Sequence, residues 1–138
     1  MVTIAADGAQ KKLLQYYFPN ITYITIPTYN IRYSKKAWWL PVVLFFQLPK
    51  IATAIYKEHR WLQLHATAFD QVISDNRYGL YNSQLKTTFI SHQLLVKAPF
   101  KWVETIIQKT QYYFINKFSE CWVPDTLNYP GFAADLSH

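Results

Sequence analysis

Three glycines, Gly8, Gly79 and Gly131, are too few for a glycine-rich phosphate cradle within this chain. It has no Walker-type loop, no GxGxxG and no GxSxG, so most of any nucleotide site must lie outside these residues. A single cysteine, Cys121, excludes an internal disulfide and fits a reducing compartment. The four histidines are scattered with no ligand spacing, so no metal site and no cofactor are expected within the chain. Charged residues make up only 16% of the sequence, which excludes a disordered charged tail. The opening "MVTIAADGAQ" lacks the basic start and apolar run of a secretory signal. The strongest apolar segment, "AWWLPVVLFFQLP" at 37–49, falls short of the about 20 residues of a membrane span and contains prolines.

What the chain does have is apolar bulk. Hydrophobic residues are 51% and aromatics 18%, enough for one domain with its own core and for some rings at the surface. Lys and Arg total 14 against 8 acidic residues, a formal charge of +6 that suits an anionic partner. Five short runs read as strands: Val2–Ala6, Thr22–Ile26, Gln71–Asp75, Thr87–Ser91 and Glu120–Pro124. The stretches between them read mostly as helix. "GAQKKLLQYYFPN" predicts a short helix stopped by Pro19. The stretch from about Trp38 to Thr67 predicts a long one, kinked or split at Pro49, with Leu48, Ile51, Ala52, Ile55, His59 and Leu62 on one stripe. A third follows Pro99, with Phe100, Val103, Ile107, Thr110 and Phe114 on its apolar face. This alternation implies an α/β, three-layer, Rossmann-like domain with a mostly parallel sheet over residues 1–138.

Ligands in such sheets sit beyond the carboxyl ends of the strands. Asp75, Asn76, Arg77, Tyr78 and Gly79 follow the third run, and His92 and Gln93 follow the fourth. A turn needs Asp, Asn and Gly but has no need of an Arg and a Tyr among them. Asp75 and His92 are therefore candidates for acid–base work, and Arg77 for meeting an anionic or carboxylate group. Asp75 and Asn76 can equally be a plain cap or turn, and His92 a loop-bonded ring.

"VTIAADG", "FPNITYITIPTYNIRYSKK", "VISDNRYGLY", "FISHQL" and "ECWVPD", taken in order, resemble the N-terminal half of bacterial MurG-like glycosyltransferases. The resemblance implies one half of a GT-B architecture, in which two Rossmann-like domains face each other across a cleft. It implies an acceptor-side domain of an enzyme that moves a sugar from a nucleotide-sugar, commonly a UDP-sugar, to an acceptor hydroxyl without a metal. The family's first strand with its Gly-rich loop is expected before Met1, and the donor-binding domain after His138; the chain alone is then expected to be inactive. Catalytic roles for His92 and Asp75, and acceptor contacts from Asn76, Arg77, Tyr78 and Gln93, are what the resemblance suggests. A sugar or lipid-linked acceptor is expected as partner, and no nucleic acid.

A membrane surface is a further expected partner. Arg32, Lys35 and Lys36 precede Trp38 and Trp39 and a run of aliphatic residues, the composition of an interfacial segment. That places the protein in the cytoplasm, peripheral on the inner face of the membrane. Two other readings stay open: a nucleotide-sugar epimerase of the same architecture, and a non-enzymatic basic module whose exposed aromatics and charge would bind an anionic polymer.

Overall fold

The computed structural model describes residues 1–26, 40–91, 94 and 100–124, with the backbone alone over 40–45. Strand β1 (Thr3–Ala5) leads into helix α1 (Gly8–Tyr17), then strand β2 (Thr22–Ile24). Helix α2 (Leu40–His65) ends in a short 3-10 turn at Ala66–Ala68. Strands β3 (Gln71–Asp75) and β4 (Lys86–Ile90), helix α3 (Lys101–Ile115) and strand β5 (Glu120–Trp122) come next. The expected α/β class with parallel pairing is thus borne out. Among the described residues the strands form two ladders rather than one continuous sheet: β1 pairs with β2, and β4 lies between β3 and β5, every pair parallel.

Local chemistry accounts for the element ends. The Asp7 carboxylate accepts from the Gly8 N–H at 2.7 Å and caps α1, whose first residue takes φ 57°, a left-handed value that suits glycine. At the other end of α1 the Phe18 N–H donates to Leu14 O, and Pro19 prevents another turn. Helix α2 neither splits nor stops at Pro49 but runs through it as 26 residues. Thr53 donates its hydroxyl to the Pro49 carbonyl at 2.7 Å one turn on.

Among the described side chains of α2 the buried ones are Ala54, Ile55, Glu58 and Leu62, with Ala66 beyond its end, while Leu48 and Ala52 are exposed. On α3 the buried residues are Val103, Gln111 and Ile115, with Ile107 and Phe114 half-buried; Thr110 and Phe100 face solvent. Pro99 lies outside the described residues.

Among the described residues two apolar clusters hold the fold together. Ile26, Leu62 and Leu80 form one, with Ala5, Ile24, Trp61, Phe69, Val72 and Leu85 packed around them. It joins both ladders to α2. The second consists of Phe89, Ile115 and Phe118, with Tyr78, Tyr81 and Leu94 against it. Thr87, Thr88 and Phe89 in the middle strand are fully buried, as a parallel strand covered on both faces requires.

At the amino ends of β4 and β5, Lys86 Nζ lies 2.8 Å from Glu120 Oε1. The hydrogen bond from the Lys86 ammonium holds the Glu120 carboxyl below its usual range. A lowered folded-state value means this contribution is present at neutral pH and is lost as pH falls through that lowered value. Lys86→Met is expected to move the Glu120 titration, followed by side-chain carboxyl NMR, upward toward the ordinary glutamate value. An unchanged midpoint would remove Lys86 as the cause.

Candidate functional site

The carboxyl ends of β3 and β4 meet because the strands run parallel in register, Asp75 opposite Ile90. The Asn76 N–H extends the ladder by donating to Ile90 O at 3.0 Å. Asn76 then turns sharply, with φ 54°, a left-handed conformation that asparagine tolerates better than most side chains. Ser74, buried to 1% exposure, closes the turn by donating its hydroxyl to Arg77 O at 2.7 Å. Both Asp75 and Asn76 are left exposed at the sheet edge. On the far side of β4 the Ser91 N–H donates to Trp122 O at 3.1 Å, so the ends of all three strands stay in line.

Beyond Asn76 the turn is directed inward. Arg77 pairs with Glu58 of α2, its Nε donating to Glu58 Oε1 at 2.7 Å and its Nη2 bonding the same oxygen. Glu58 is fully buried, and its second oxygen accepts the Gly79 N–H at 3.2 Å. A carboxylate out of water must be paired in this way. Gly79 has no room for a side chain: a Cβ there would stand 2.5 Å from both Glu58 Cβ and the Ile55 carbonyl oxygen. Tyr78 stacks on Phe89 at 5.1 Å between ring centroids and leans on Phe114 at 5.9 Å.

The residues expected at the site therefore have different places. Asp75 and Asn76 stand together at the solvent edge. Arg77 and Tyr78 come from the same turn, but they tie that edge to α2 and to the core around Phe89. His92 and Gln93 lie outside the described residues, directly after Ser91 in the chain, as do Arg32, Lys35, Lys36, Trp38 and Trp39.

Glu58 is the residue that the sequence reading passes over. It sits three residues after Ile55 and four before Leu62, on the apolar stripe itself, and a carboxylate at such a position implies a buried partner. The first ladder has its own polar end. Asp7 follows β1, and Lys11 Nζ donates to Thr25 Oγ1, just after β2, at 2.6 Å.

Among the described residues no group of three His, Cys, Asp or Glu side chains could hold a metal ion. No described helix is long and apolar enough to cross a membrane. Comparison with protein-family models, with curated proteins and with solved structures returns no match.

Proposed function

We propose that the chain is the acceptor-side domain of a glycosyltransferase of two facing α/β domains, moving a sugar from a nucleotide-sugar, a UDP-sugar by resemblance, to an acceptor hydroxyl. The observation that carries this reading is the pair Asp75 and Asn76, exposed at the carboxyl edge of a parallel ladder and held there by Asn76 N–H to Ile90 O and by the Arg77–Glu58 anchor. Open parallel sheets bind their ligands at that edge.

In this reading Asp75 or His92 takes the proton of the acceptor hydroxyl. The freed oxygen attacks the anomeric carbon, and the bond to the nucleoside diphosphate breaks, its charge met by the donor-side domain. Asn76 and Gln93 orient the acceptor, and Arg77 and Tyr78 fix the turn that presents it. The acceptor is lipid-linked, and Arg32, Lys35, Lys36, Trp38 and Trp39 bring the enzyme to the cytoplasmic face of an anionic membrane.

The test begins with the coding frame on both sides of these residues, expected to encode a donor-binding α/β domain. The full product is then given radiolabelled UDP-sugars and a lipid extract as acceptor. Transfer to lipid is expected, with Asp75→Asn and His92→Ala assayed separately. Loss of the general base should lower kcat about 100-fold or more in one of them, with an unchanged melting temperature. Absence of transfer with every donor, or full activity in both variants, would overturn the proposal. Calorimetry on the 138 residues alone should find no micromolar UDP-sugar site.

A further inference from the structure

At the end of the ladder opposite Asp75 and Asn76, a lysine is held among aromatic rings. Lys117 follows α3 and precedes β5, so it stands at the amino edge of the β3–β4–β5 ladder. Its Nζ lies 4.3 Å from the ring centroid of Tyr113, 4.8 Å from that of Tyr81 and 5.8 Å from that of Phe114. Attraction to the rings keeps this flexible side chain in one place. The rings are themselves held. Tyr81 stacks on His59 of α2 at 4.1 Å and meets Phe118 edge-on at 6.1 Å. Tyr113 stands edge-on to Phe114 at 5.3 Å.

An ammonium has three N–H donors and no acceptor, and a phenol hydroxyl donates once. Lys117 gives one hydrogen to Tyr81 Oη at 3.4 Å. That bond occupies a lone pair of Tyr81 and leaves its hydroxyl hydrogen to be donated elsewhere. Hydrogen bonding to the Tyr113 phenol is the first cause of a raised Lys117 pKa; burial opposes it and Tyr81 adds to it. The group is therefore charged at neutral pH. Among the described residues no carboxylate pairs with Lys117, and neither phenol donates to an acceptor. Glu120, three residues on, is engaged by Lys86 at 2.8 Å and by Trp122 Nε1 at 3.2 Å. One cation and two hydroxyls thus bring together donors without an acceptor.

We propose that Lys117, Tyr81 and Tyr113 bind a tetrahedral oxyanion of the phosphate class. Such a group only accepts hydrogen bonds, carries more than one negative charge near neutral pH and takes donors from several sides. A carboxylate has a single charge and two oxygens in one plane, and matches three donors less well. Fixing of the donors by the rings lowers the ordering cost of binding. The net charge of +6 draws anions toward the surface. The phosphate is either the free ion or a monoester of a larger molecule, since both present the same oxygens. The inference is independent of sugar transfer, because the site lies at the edge away from Asp75 and Asn76.

The test titrates the protein with inorganic phosphate, phenyl phosphate and acetate at constant ionic strength, following the ring signals of Tyr81 and Tyr113 by NMR. Saturable shifts are expected with both phosphates, at a midpoint of about 1 mM or below, as a few charge-assisted hydrogen bonds support. Acetate should bind about 5-fold more weakly or worse. The tighter phosphate identifies the source as free ion or ester, and equal midpoints mean that the site reads the phosphoryl oxygens alone. Lys117→Met should abolish saturation. Tyr81→Phe and Tyr113→Phe keep their rings, and each should raise the midpoint about 5-fold or more. Lys109 is exposed on α3, eight residues before Lys117, and Lys109→Met should bind as the parent does. Four results would overturn the inference: shifts that never saturate, acetate binding as tightly as phosphate, unchanged midpoints in Lys117→Met or in both phenylalanine variants, or Lys109→Met costing as much as Lys117→Met. The last would mark a diffuse basic surface.

Discussion

Glu58→Ala is expected to cost about 3 kcal/mol of stability, the lower end of the range for breaking a buried ion pair from one side. The lower end applies because the Arg77 side chain retains 19% exposure and recovers some hydration once its partner is gone. Glu58 itself is fully buried and serves two donors from one turn, Arg77 and the Gly79 N–H. Truncation leaves the guanidinium half-buried without its carboxylate and the amide without its acceptor. For a domain of this size the loss corresponds to a fall in melting temperature of roughly 10 °C. Thermal denaturation followed by circular dichroism measures it. Glu58→Gln retains an oxygen for one donor and should fall between the parent and Glu58→Ala. Joint replacement by Glu58→Met and Arg77→Met should be milder than Glu58→Ala, since removing both charges leaves neither unpaired. If Glu58→Ala melts within about 2 °C of the parent, the pair does not anchor the turn.

That anchor also marks where the sequence is readable and where it is not. The third and fourth strands can be read because Val72–Ser74 and Thr88–Ile90 are short apolar runs ending in turn residues, and parallel ladders require such runs. The sharp turn at Asn76 can be read for a similar reason, since few residues other than glycine adopt positive φ easily. The role of Arg77 is harder to read. A charged residue after a strand looks the same whether it meets a ligand or a carboxylate of its own fold. Only the three-dimensional placement of Glu58, 19 residues earlier, settles its partner.

Pro49 reads as a kink or a split because a proline removes one helical hydrogen bond, and the long helix is not split there but continues through it. On α3 the expected apolar face is wrong at Thr110 and Phe100. The helix buries Val103, Gln111 and Ile115 and half-buries Ile107, residues four apart, and a polar Gln in that row hides the stripe from a search for apolar residues. The division into two ladders is out of reach, since pairing between distant strands leaves no mark on either one's own sequence.

Gly79→Ala should destabilise the protein more than Gly8→Ala, although alanine is the smallest side chain that can be added at either position. At Gly8 an added Cβ meets nothing within 4 Å, and the cost is that of holding alanine at φ 57°, about 1 kcal/mol. At Gly79 the obstacle is steric. The added carbon would lie 2.5 Å from the Ile55 carbonyl oxygen, which belongs to the backbone of α2 and cannot swing aside as a side chain can. It would also lie 2.5 Å from Glu58 Cβ and 2.7 Å from Glu58 Oε2. The loop must therefore back away from α2, which stretches or breaks the Gly79 N–H bond to the buried carboxylate and disturbs the Arg77 pair beside it. Overpacking of this kind costs about 1–3 kcal/mol, and an unsatisfied buried acceptor adds about 1–3 more. The expected sum is roughly 2–6 kcal/mol, whose upper part is enough to unfold a domain of marginal stability at growth temperature. Urea denaturation of the two variants beside the parent tests the order. Gly79→Ala should show much the larger fall in midpoint, with an unchanged slope if the unfolded state is unaffected. Equal midpoints, or a larger loss at Gly8, would mean that the loop does not press on α2 and that the edge carrying Asp75 and Asn76 is positioned by something other than Glu58.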